Sequence, residues 1–454
     1  MALEHTLPAP HDLLAARRET AVRAAVAEGL VSDDEPVAAL LDADAVRESA
    51  RALHGAFAEV AAPGQRILHA FAVKAASLVP VLRLLDAEGV GAEVASPGEL
   101  ALARAAGVAS SRTVFDSPAK THAELRQALA LGIAVNADNP EELTRLDALM
   151  ADAMTSSPIG IRVNPQLGAG AIDAMSTATA TSKFGVALRD PGARDWVVRA
   201  YLDRPWLTTL HNHTGSQGIP LELMAAGVRE LYALAEEINE AAGRRQITTL
   251  DIGGGLPVNF TSDEVTPSFT DYAQLLRREV PGLFSGAYGL VTEFGRALLA
   301  KAGTVLARVE YAKSAGGRPI AVTHAGVQVA VRTVFAPEAW PLRVTAYDAK
   351  GVPKTGAPVA QDVAGPACFA GDLVARDRAL PRLAAGDHVA LLDTGAYYFS
   401  TPFSYNSLAR PGVYGFTADP ATDTVRFARL RRPQSLTEIV AESGGAYGDA
   451  LTGL

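Results

Sequence analysis

The fold is indicated by residues 67–108, which read ILHAFAVKAASLVPVLRLLDAEGVGAEVASPGELALARAAGV. Two short strand-like runs, ILHAFAV (67–73) and AEVAS (92–96), alternate with Ala- and Leu-rich segments of helical period. Ser96 is predicted to cap the second helix, because Pro97 follows it and Glu99 stands three residues after it. This order of elements is typical of βα units.

The same alternation of strand and helix continues over residues 46–303. Eight such units are the number that closes a (β/α)8 barrel, whose reactive side chains lie at the carboxyl ends of the strands. An open doubly wound sheet is the alternative, but Gly89-Val90-Gly91 lacks the third glycine of the usual early fingerprint. The eight predicted strands lie in residues 67–73, 92–96, 113–117, 133–137, 159–164, 208–213, 247–254 and 289–295.

The chain changes character at residue 304. From there to residue 454, strand-like runs such as TVLARVEYA and RPIAVTHAG are separated by Gly, Pro and Asp turns. This pattern predicts a C-terminal β domain, a β-sandwich or β-barrel, that follows the (β/α)8 barrel. Residues 1–35 are predicted to form a helical arm, and residues 36–45 a strand and linker associated with the β domain.

Composition excludes several classes of function. The 454 residues include 41 Lys and Arg against 50 Asp and Glu, a formal charge of −9 that offers no basic field for nucleic acid or an anionic membrane. The single cysteine excludes an intrachain disulfide and a multi-cysteine zinc site. No apolar run is long enough for a signal peptide or a bilayer span, so we expect a cytoplasmic protein.

Lys74 ends the first predicted strand, after the apolar run FAV. An amine at the mouth of a barrel is partly desolvated, which favours the neutral form that attacks a carbonyl. The ordinary alternative is a solvated lysine at a strand end. The residues around Lys74 must therefore distinguish a reactive amine from a surface lysine.

Three more strand ends carry polar residues, and each has an ordinary explanation. His211 and His213 share one face of a strand and are either a zinc pair or core histidines. The glycines at 253–255 form either a phosphate-binding nest or an ordinary turn. Glu293 and Arg296 form either part of a binding site or a local ion pair. Together with Lys74, these groups are the four partners that pyridoxal phosphate needs, and they favour that cofactor over a metal.

With these residues in place, the chain resembles the fold-type III pyridoxal-phosphate decarboxylases, most closely the diaminopimelate decarboxylase branch, with ornithine and arginine decarboxylases as relatives. The resemblance extends over residues 36–415, and its motifs occur in the family's order. These motifs are FAVKA (71–75), GAEVASPGEL (91–100), VFDSPAKT (114–121), SKFGV (182–186), LHNHTGSQ (210–217), DIGGGLP (251–257), EFGR (293–296), AGPACFAGD (364–372) and GAYYFS (395–400).

The resemblance implies a role for each matching residue. Lys74 forms a Schiff base with pyridoxal phosphate, His213 stacks on the pyridine ring, and Glu293 pairs with the pyridine nitrogen. Decarboxylation then proceeds through a quinonoid intermediate. Glu93 and Arg162 belong to the polar shell of the cofactor. The phosphate is held by Ser216, Gly253, Gly254, Gly255, Arg296 and Tyr397.

The resemblance also implies a homodimer with shared active sites. Cys368 would reach in from the second subunit and donate a proton to the carbanion carbon. A carboxylate at Glu293 keeps the ring nitrogen protonated, which favours decarboxylation over racemisation.

Three departures from the diaminopimelate decarboxylase pattern bear on the substrate. Phe369 stands where that branch has a glutamate that recognises the distal amino group, Ala336 stands where it has a tyrosine, and His324-Ala325-Gly326 stands where it has a DAG turn. Arg332 remains as a clamp for a carboxylate. Burying an unpaired ammonium costs several kcal/mol, so we predict an amino acid with a neutral, apolar or carboxylate-bearing distal end rather than meso-diaminopimelate.

Four alternatives stay open at this point. The chain could be a diaminopimelate decarboxylase proper, an amino-acid racemase, or a homologue that binds pyridoxal phosphate without catalysis. A (β/α)8 metallohydrolase that uses His211 and His213 is the fourth.

Overall fold

The computed structural model describes residues 10–152 and 155–454. They divide into two compact units, each presented by itself below. The barrel unit comprises Val46–Asn259 and Val265–Leu298, and the sheet unit comprises the chain up to Ala45, Phe260–Glu264 and Leu299–Leu454.

The barrel unit is a closed parallel barrel, as predicted. Within its described residues, eight strands pair in the order β5-β4-β3-β2-β10-β9-β8-β6, and β5 pairs with β6 to close the ring. A two-residue strand, β7 (Val186–Ala187), adds to β6 outside the ring. The barrel strands are β2 Ile67–Ala72, β3 Gly91–Val94, β4 Thr113–Phe115, β5 Ala134–Ala137, β6 Ile159–Asn164, β8 Leu207–His211, β9 Thr249–Asp251 and β10 Gly289–Thr292.

Helices follow the barrel strands. Ser96 caps α4 as predicted: its hydroxyl accepts a hydrogen bond from the Glu99 amide at 3.2 Å, and Glu99 Oε2 accepts one from Ala95 N at 2.7 Å. Because such caps fix where each helix starts, they also fix the strand-to-helix turns that carry the site. The helices are α2 Ala43–Val60, α3 Val79–Ala87, α4 Pro97–Ala105, α5 His122–Leu131, α6 Pro140–Asp152, α7 Ala193–Asp203, α8 Leu221–Ala242, α9 Phe269–Glu279 and α10 Arg296–Leu299.

The inside of the barrel changes from apolar to charged along the strands. Ala70, Val114 and Val291 form a buried apolar cluster with the partly buried Leu68 and Ala134. Nearer the carboxyl ends, the buried side chains are charged or polar. They include Glu93, Asp116, Asn136, Arg162, His211, Asp251 and Glu293.

The sheet unit is built on a mixed sheet. The strands pair in the order β15-β14-β12-β11-β1-β17-β18, and β16 joins β11 to β13. β1 runs parallel to β17 and β12 parallel to β14, whereas the other pairs are antiparallel. The strands are β1 Val37–Asp42, β11 Gly303–Ala315, β12 Arg318–Thr323, β13 Val344–Tyr347, β14 Pro358–Ala364, β15 Leu373–Pro381, β16 His388–Leu392, β17 Gly412–Asp419 and β18 Thr424–Arg431.

Three helices accompany this sheet: α1 (Pro10–Ala27), α11 (Val327–Phe335) and α12 (Leu436–Glu442). The last two are short and were not predicted. The predicted N-terminal helix is α1, and its Ala21, Val22 and Ala25 pack into the core of the sheet unit. Residues 37–42 form a strand of that sheet, as expected. The described residues contain no helix with the length and apolar character needed to cross a membrane.

The unit boundaries differ from the predicted ones in two places. The sheet unit begins at Leu299 rather than after residue 303, because the turn before β11 is bound to it: Gly395 N donates to Ala300 O and Thr394 N to Gly303 O. Residues 260–264 also belong to the sheet unit. Asp263 there pairs with Arg18 at 2.8 Å and with Arg343 at 2.7 Å.

Candidate active site

Lys74 lies in a turn of 3-10 helix, Val73–Ala75, directly after β2. Its ammonium donates to a carboxylate oxygen of Glu93, in the neighbouring strand β3. The Lys74 side chain is 47% exposed, whereas that of Glu93 is 1% exposed. Burial raises the pKa of Glu93 even though the Lys74 charge opposes the shift. The structure therefore holds the amine at the open end of the barrel with a buried carboxylate beside it.

A second ion pair lies deeper in the same end of the barrel. Arg162 Nη1 is 2.9 Å from Asp116 Oδ2, and its guanidinium lies 4.4 Å from the ring centre of Phe184. Burial favours the neutral form of Asp116, but the charges of Arg162 and His211 hold its pKa well below the ordinary value. Sequence analysis named Arg162 but missed Asp116, although Asp116 directly follows β4 and the strand-end rule applies to it.

His211 is in register with Arg162 on one side and Asp251 on the other. Its Nδ1 lies 3.2 Å from Asp251 Oδ1, and its Nε2 lies 3.1 Å from Asp116 Oδ2. Asp116, directly after β4, and Asp251, in β9, are far from His211 along the chain, so the sequence around His211 does not indicate them.

The glycine loop after β9 is bound to the end of β8. Gly254 N donates to His213 Nδ1 at 3.0 Å, and Gly253 N donates to Asp251 Oδ1 at 3.0 Å. A Cβ atom at Gly254 would come within 1.9 Å of Glu293 O, and one at Gly255 within 1.7 Å of Gly215 O, so only glycine fits. Burial, followed by the charges of Arg162 and Lys74, lowers the pKa of His213, so this imidazole is neutral.

Ser216 and Arg296, two predicted phosphate ligands, flank this loop in sequence. The Ser216 amide donates a hydrogen bond to Met175 O at 2.9 Å, and Ser216, which follows β8 in the chain, is partly exposed. Arg296 is buried and begins α10.

Glu293 follows β10 and is almost fully buried. Among the described residues its Oε1 has no hydrogen-bond partner. Burial, and then the charge of Asp251, raise the pKa of Glu293 well above its usual range. Phe294 is buried and packs edge-on against Phe269, with ring centres 5.1 Å apart.

These features fit pyridoxal phosphate. Lys74 supplies the amine, His213 a neutral ring, and residues 253–255 a loop in which side chains have no room. A buried carboxylate oxygen without a partner costs free energy unless a donor meets it. The protonated nitrogen of a pyridine ring would be a donor of this kind.

The sheet unit carries Cys368, in the loop between β14 and β15. Cys368 is exposed, and its amide donates to Asn406 Oδ1 at 2.8 Å. Asp372 holds both this loop and the start of α11: it accepts from Ala367 N at 2.8 Å and from Val327 N at 2.7 Å. A Cβ atom at Gly326 would come within 2.5 Å of that carboxylate. The sequence AGPACFAGD therefore encodes a fixed loop that exposes its thiol.

Phe369 belongs to an aromatic cluster formed by Phe335, Phe369, Phe403 and Tyr405. Its ring stacks on Phe335 with centres 5.7 Å apart, and Tyr405 meets its edge at 5.1 Å. Phe403 contacts both Phe335 and Tyr405. Phe335 is nevertheless 61% exposed. Sequence analysis named Phe369 alone, since no spacing rule links these four positions.

Arg332 lies on α11, one turn before Ala336, which ends that helix. Its guanidinium lies between two aromatic rings, 4.9 Å from the centre of Trp340 and 4.7 Å from that of Tyr397. Arg332 Nη1 is buried and has no hydrogen-bond partner among the described residues. Tyr397 has a left-handed backbone (φ 66°), a strained conformation for this residue type.

A model of the family described as pyridoxal-dependent decarboxylase, pyridoxal binding domain, matches residues 44–300. The diaminopimelate decarboxylase of Pseudomonas aeruginosa is 33% identical over 398 residues, which cover 87% of this chain and 90% of that protein. That of Methanothermobacter thermautotrophicus is 32% identical over 410 residues, covering 87% and 91%.

Solved structures show the same fold. Helicobacter pylori diaminopimelate decarboxylase complexed with L-lysine is similar with a TM-score of 0.77 at 26% identity, covering 90% of this chain and 97% of that one. The Vibrio vulnificus lysine/ornithine decarboxylase complexed with putrescine has a TM-score of 0.71 at 24% identity, with coverage of 87% and 97%.

Proposed function

Because this chain belongs to the pyridoxal-dependent decarboxylases, we propose that Lys74 and Glu293 hold its cofactor while an amino-acid substrate loses its α-carboxylate. The observation that carries the proposal is an accessible amine, Lys74, in the same barrel end as a buried Glu293 oxygen, Oε1, that has no hydrogen-bond partner among the described residues. Pyridoxal phosphate, when bound, accepts the electron pair left by departing CO2.

The other barrel residues have supporting roles in this proposal. His213, neutral and fixed by Gly254 N, packs against the ring. Glu93 and Arg162 keep the surrounding charges paired. The phosphate is bound by Ser216, Gly253, Gly254, Gly255 and Arg296.

Reductive labelling tests the attachment point. Borohydride treatment of the holoenzyme, followed by peptide mapping, should place the pyridoxyl label on Lys74. Lys74→Ala should lose both label and activity, whereas Lys313→Ala, at an exposed position on β11, should keep both. A label on another lysine would refute the assignment.

The named relatives favour meso-diaminopimelate as the substrate. They do not support the expectation, drawn from Phe369, that this amino acid is a poor substrate. We therefore propose meso-diaminopimelate as the first substrate, bound through its distal carboxylate by Arg332, whose buried Nη1 has no partner among the described residues.

The aromatic cluster favours a second candidate. Around Phe369 the neighbouring side chains are Phe335 and Tyr405, and neither ring can neutralise a distal ammonium. A substrate with a neutral or apolar distal end fits these contacts better. Comparing kcat/KM for meso-diaminopimelate, lysine and ornithine with that for neutral and acidic analogues decides between the two candidates.

We also propose that two copies of the chain share their active sites, with Cys368 of one copy acting as the proton donor in the other. The supporting observation is an exposed thiol on a loop held by Asp372 and Asn406. Mixing Lys74→Ala with Cys368→Ala should restore activity through heterodimers that carry one intact site. If subunits exchange and no activity returns, each site lies within one chain.

A further inference from the structure

His211 is a fully buried histidine surrounded by carboxylates. A ring nitrogen of His211, an oxygen of Asp116 and an oxygen of Glu293 all lie within 4.8 Å of one another. Asp251 meets the other side of the imidazole, with its Oδ1 3.2 Å from Nδ1. Such surroundings favour a positively charged imidazole although burial opposes it.

The buried charges at this end of the barrel pair off in a definite way. Glu93 contacts Lys74, Asp116 contacts Arg162, and Asp251 contacts His211. Glu293 is the fourth carboxylate of the group, and its Oε1 has no hydrogen-bond partner among the residues described. The site therefore leaves one carboxylate for a group that arrives with the cofactor.

The proton affinities agree with this arrangement. Burial lowers the pKa of His211, but the charges of Asp251, Asp116 and Glu293 outweigh it and raise that pKa well above the ordinary value. The charge of His211, in turn, opposes the burial that raises the pKa of Glu293. His211 thus keeps its proton, and burial favours the protonated form of Glu293.

We propose that His211 is a positioning residue whose fixed positive charge holds Glu293 as a carboxylate against the protonated ring nitrogen of pyridoxal phosphate. The inference rests on the proposed pairing of Glu293 with that nitrogen. When the ring binds, the O–H bond of Glu293 breaks and an N–H bond forms on the ring. His211 remains protonated throughout, so the proton count balances.

The positions of the buried groups determine whether the charge of His211 raises or lowers the proton affinity of the ring nitrogen. His211 is 0% exposed, whereas Lys74 is 47% exposed, so the imidazolium lies on the closed side of the site. A cation near Glu293 stabilises the carboxylate more than it disfavours a proton placed farther away on the ring. Without the charge of His211, the proton should move from the ring nitrogen back to Glu293. The other titratable or charged groups of the site are Lys74, Glu93, Asp116, Arg162, His213, Asp251 and Arg296.

The experiment measures the protonation of the ring nitrogen directly. Holoenzyme reconstituted with pyridoxal phosphate labelled with 15N in the ring is titrated with pH, and the 15N chemical shift is followed. In His211→Asn the titration midpoint should fall by at least one pH unit, a tenfold change in proton affinity that corresponds to about 1.4 kcal/mol. His54→Asn, a partly buried histidine on α2, is the control and should keep the wild-type midpoint.

The outcomes separate the inference from the proposal beneath it. If a folded His211→Asn keeps the wild-type midpoint while Glu293→Gln lowers it, the role of His211 is refuted and the Glu293 pairing stands. If Glu293→Gln also changes nothing, the pairing itself fails. Where His211→Asn does not fold, His211→Gln serves the same test. Stoichiometric zinc bound through His211 in the holoenzyme would also overturn the inference.

Discussion

The mouth of the barrel and the loop that carries Cys368 are built on opposite principles. At the barrel mouth, buried charged side chains contact specific charged partners, as Glu93 does with Lys74 and Asp116 with Arg162, while one oxygen of Glu293 has no partner among the described residues. The Cys368 loop instead presents an exposed thiol beside aromatic rings, and its order comes from backbone amides bound to Asp372 and Asn406.

The difference predicts how each region responds to substitution. Removing one member of a buried ion pair leaves an uncompensated charge and destabilises the fold, so barrel variants lose stability and function together. Substitutions at an exposed side chain on a loop held by its backbone should change function while stability stays nearly constant. The predictions below test this contrast, beginning with the largest effect.

Cys368→Ala should lower kcat by about 100-fold or more, the usual range for a proton donor, and leave the unfolding transition unchanged. Because Cys368 is the single cysteine of the chain, alkylation with iodoacetamide offers an independent check: one label per chain should inactivate the enzyme. Fully active alkylated enzyme would show that the thiol does not act on the substrate.

Lys120→Met should cost about 3–5 kcal/mol of unfolding free energy. Its fully buried ammonium donates to Ser117 O at 2.6 Å and Asn136 O at 2.8 Å, and lies 2.7 Å from Glu142 Oε1. It thus ties the end of β4 to that of β5. Urea titration should show part of the loss recovered in Lys120→Met/Glu142→Gln, since that variant leaves no buried charge behind. Equal stability of wild type and Lys120→Met would refute the expectation that breaking a buried ion pair in the barrel destabilises the fold.

Strand-end residues explain how much of the barrel could be predicted from sequence. Lys74, His213 and Glu293 each follow a recognisable strand, so period and position make them candidates, while the family resemblance supplies the roles predicted for them. The partners of His211 were hidden, because Asp116 and Asp251 meet it only when the barrel closes. Phe335, Phe403 and Tyr405 were missed for a similar reason: their clustering with Phe369 depends on loops, and no periodic pattern encodes it.

His69 offers a pH test of barrel stability. Burial, and then the charge of His54, lower its pKa from 6.5 to about 3. The unfolded chain therefore takes up this proton first, so the contribution of His69 is complete above pH 6.5 and is lost as the pH falls towards 3.

The test compares unfolding free energies at pH 7 and pH 4. The loss between these values should be smaller in His69→Asn than in wild type, by roughly 2–3 kcal/mol. A pH dependence identical to wild type would mean that folding does not shift the pKa of His69. His122→Asn, at the start of α5, provides the matched control.

The smallest effect is expected at Phe369, where the two candidate substrates make opposite predictions. Phe369→Glu removes two aromatic contacts, with Phe335 and Tyr405, each worth about 0.5–1.5 kcal/mol, from a cluster already open to solvent, so the fold should tolerate it. A carboxylate there can pair with a distal ammonium. If the aromatic cluster selects a neutral distal end, Phe369→Glu should raise kcat/KM for lysine and meso-diaminopimelate by the equivalent of about 1–3 kcal/mol of transition-state stabilisation.

Phe369→Leu, which removes the ring without adding charge, should show no such gain. If wild type already prefers meso-diaminopimelate and Phe369→Glu brings no improvement, the distal ammonium finds its partner elsewhere, and the Cys368 loop serves the chemistry without setting the substrate.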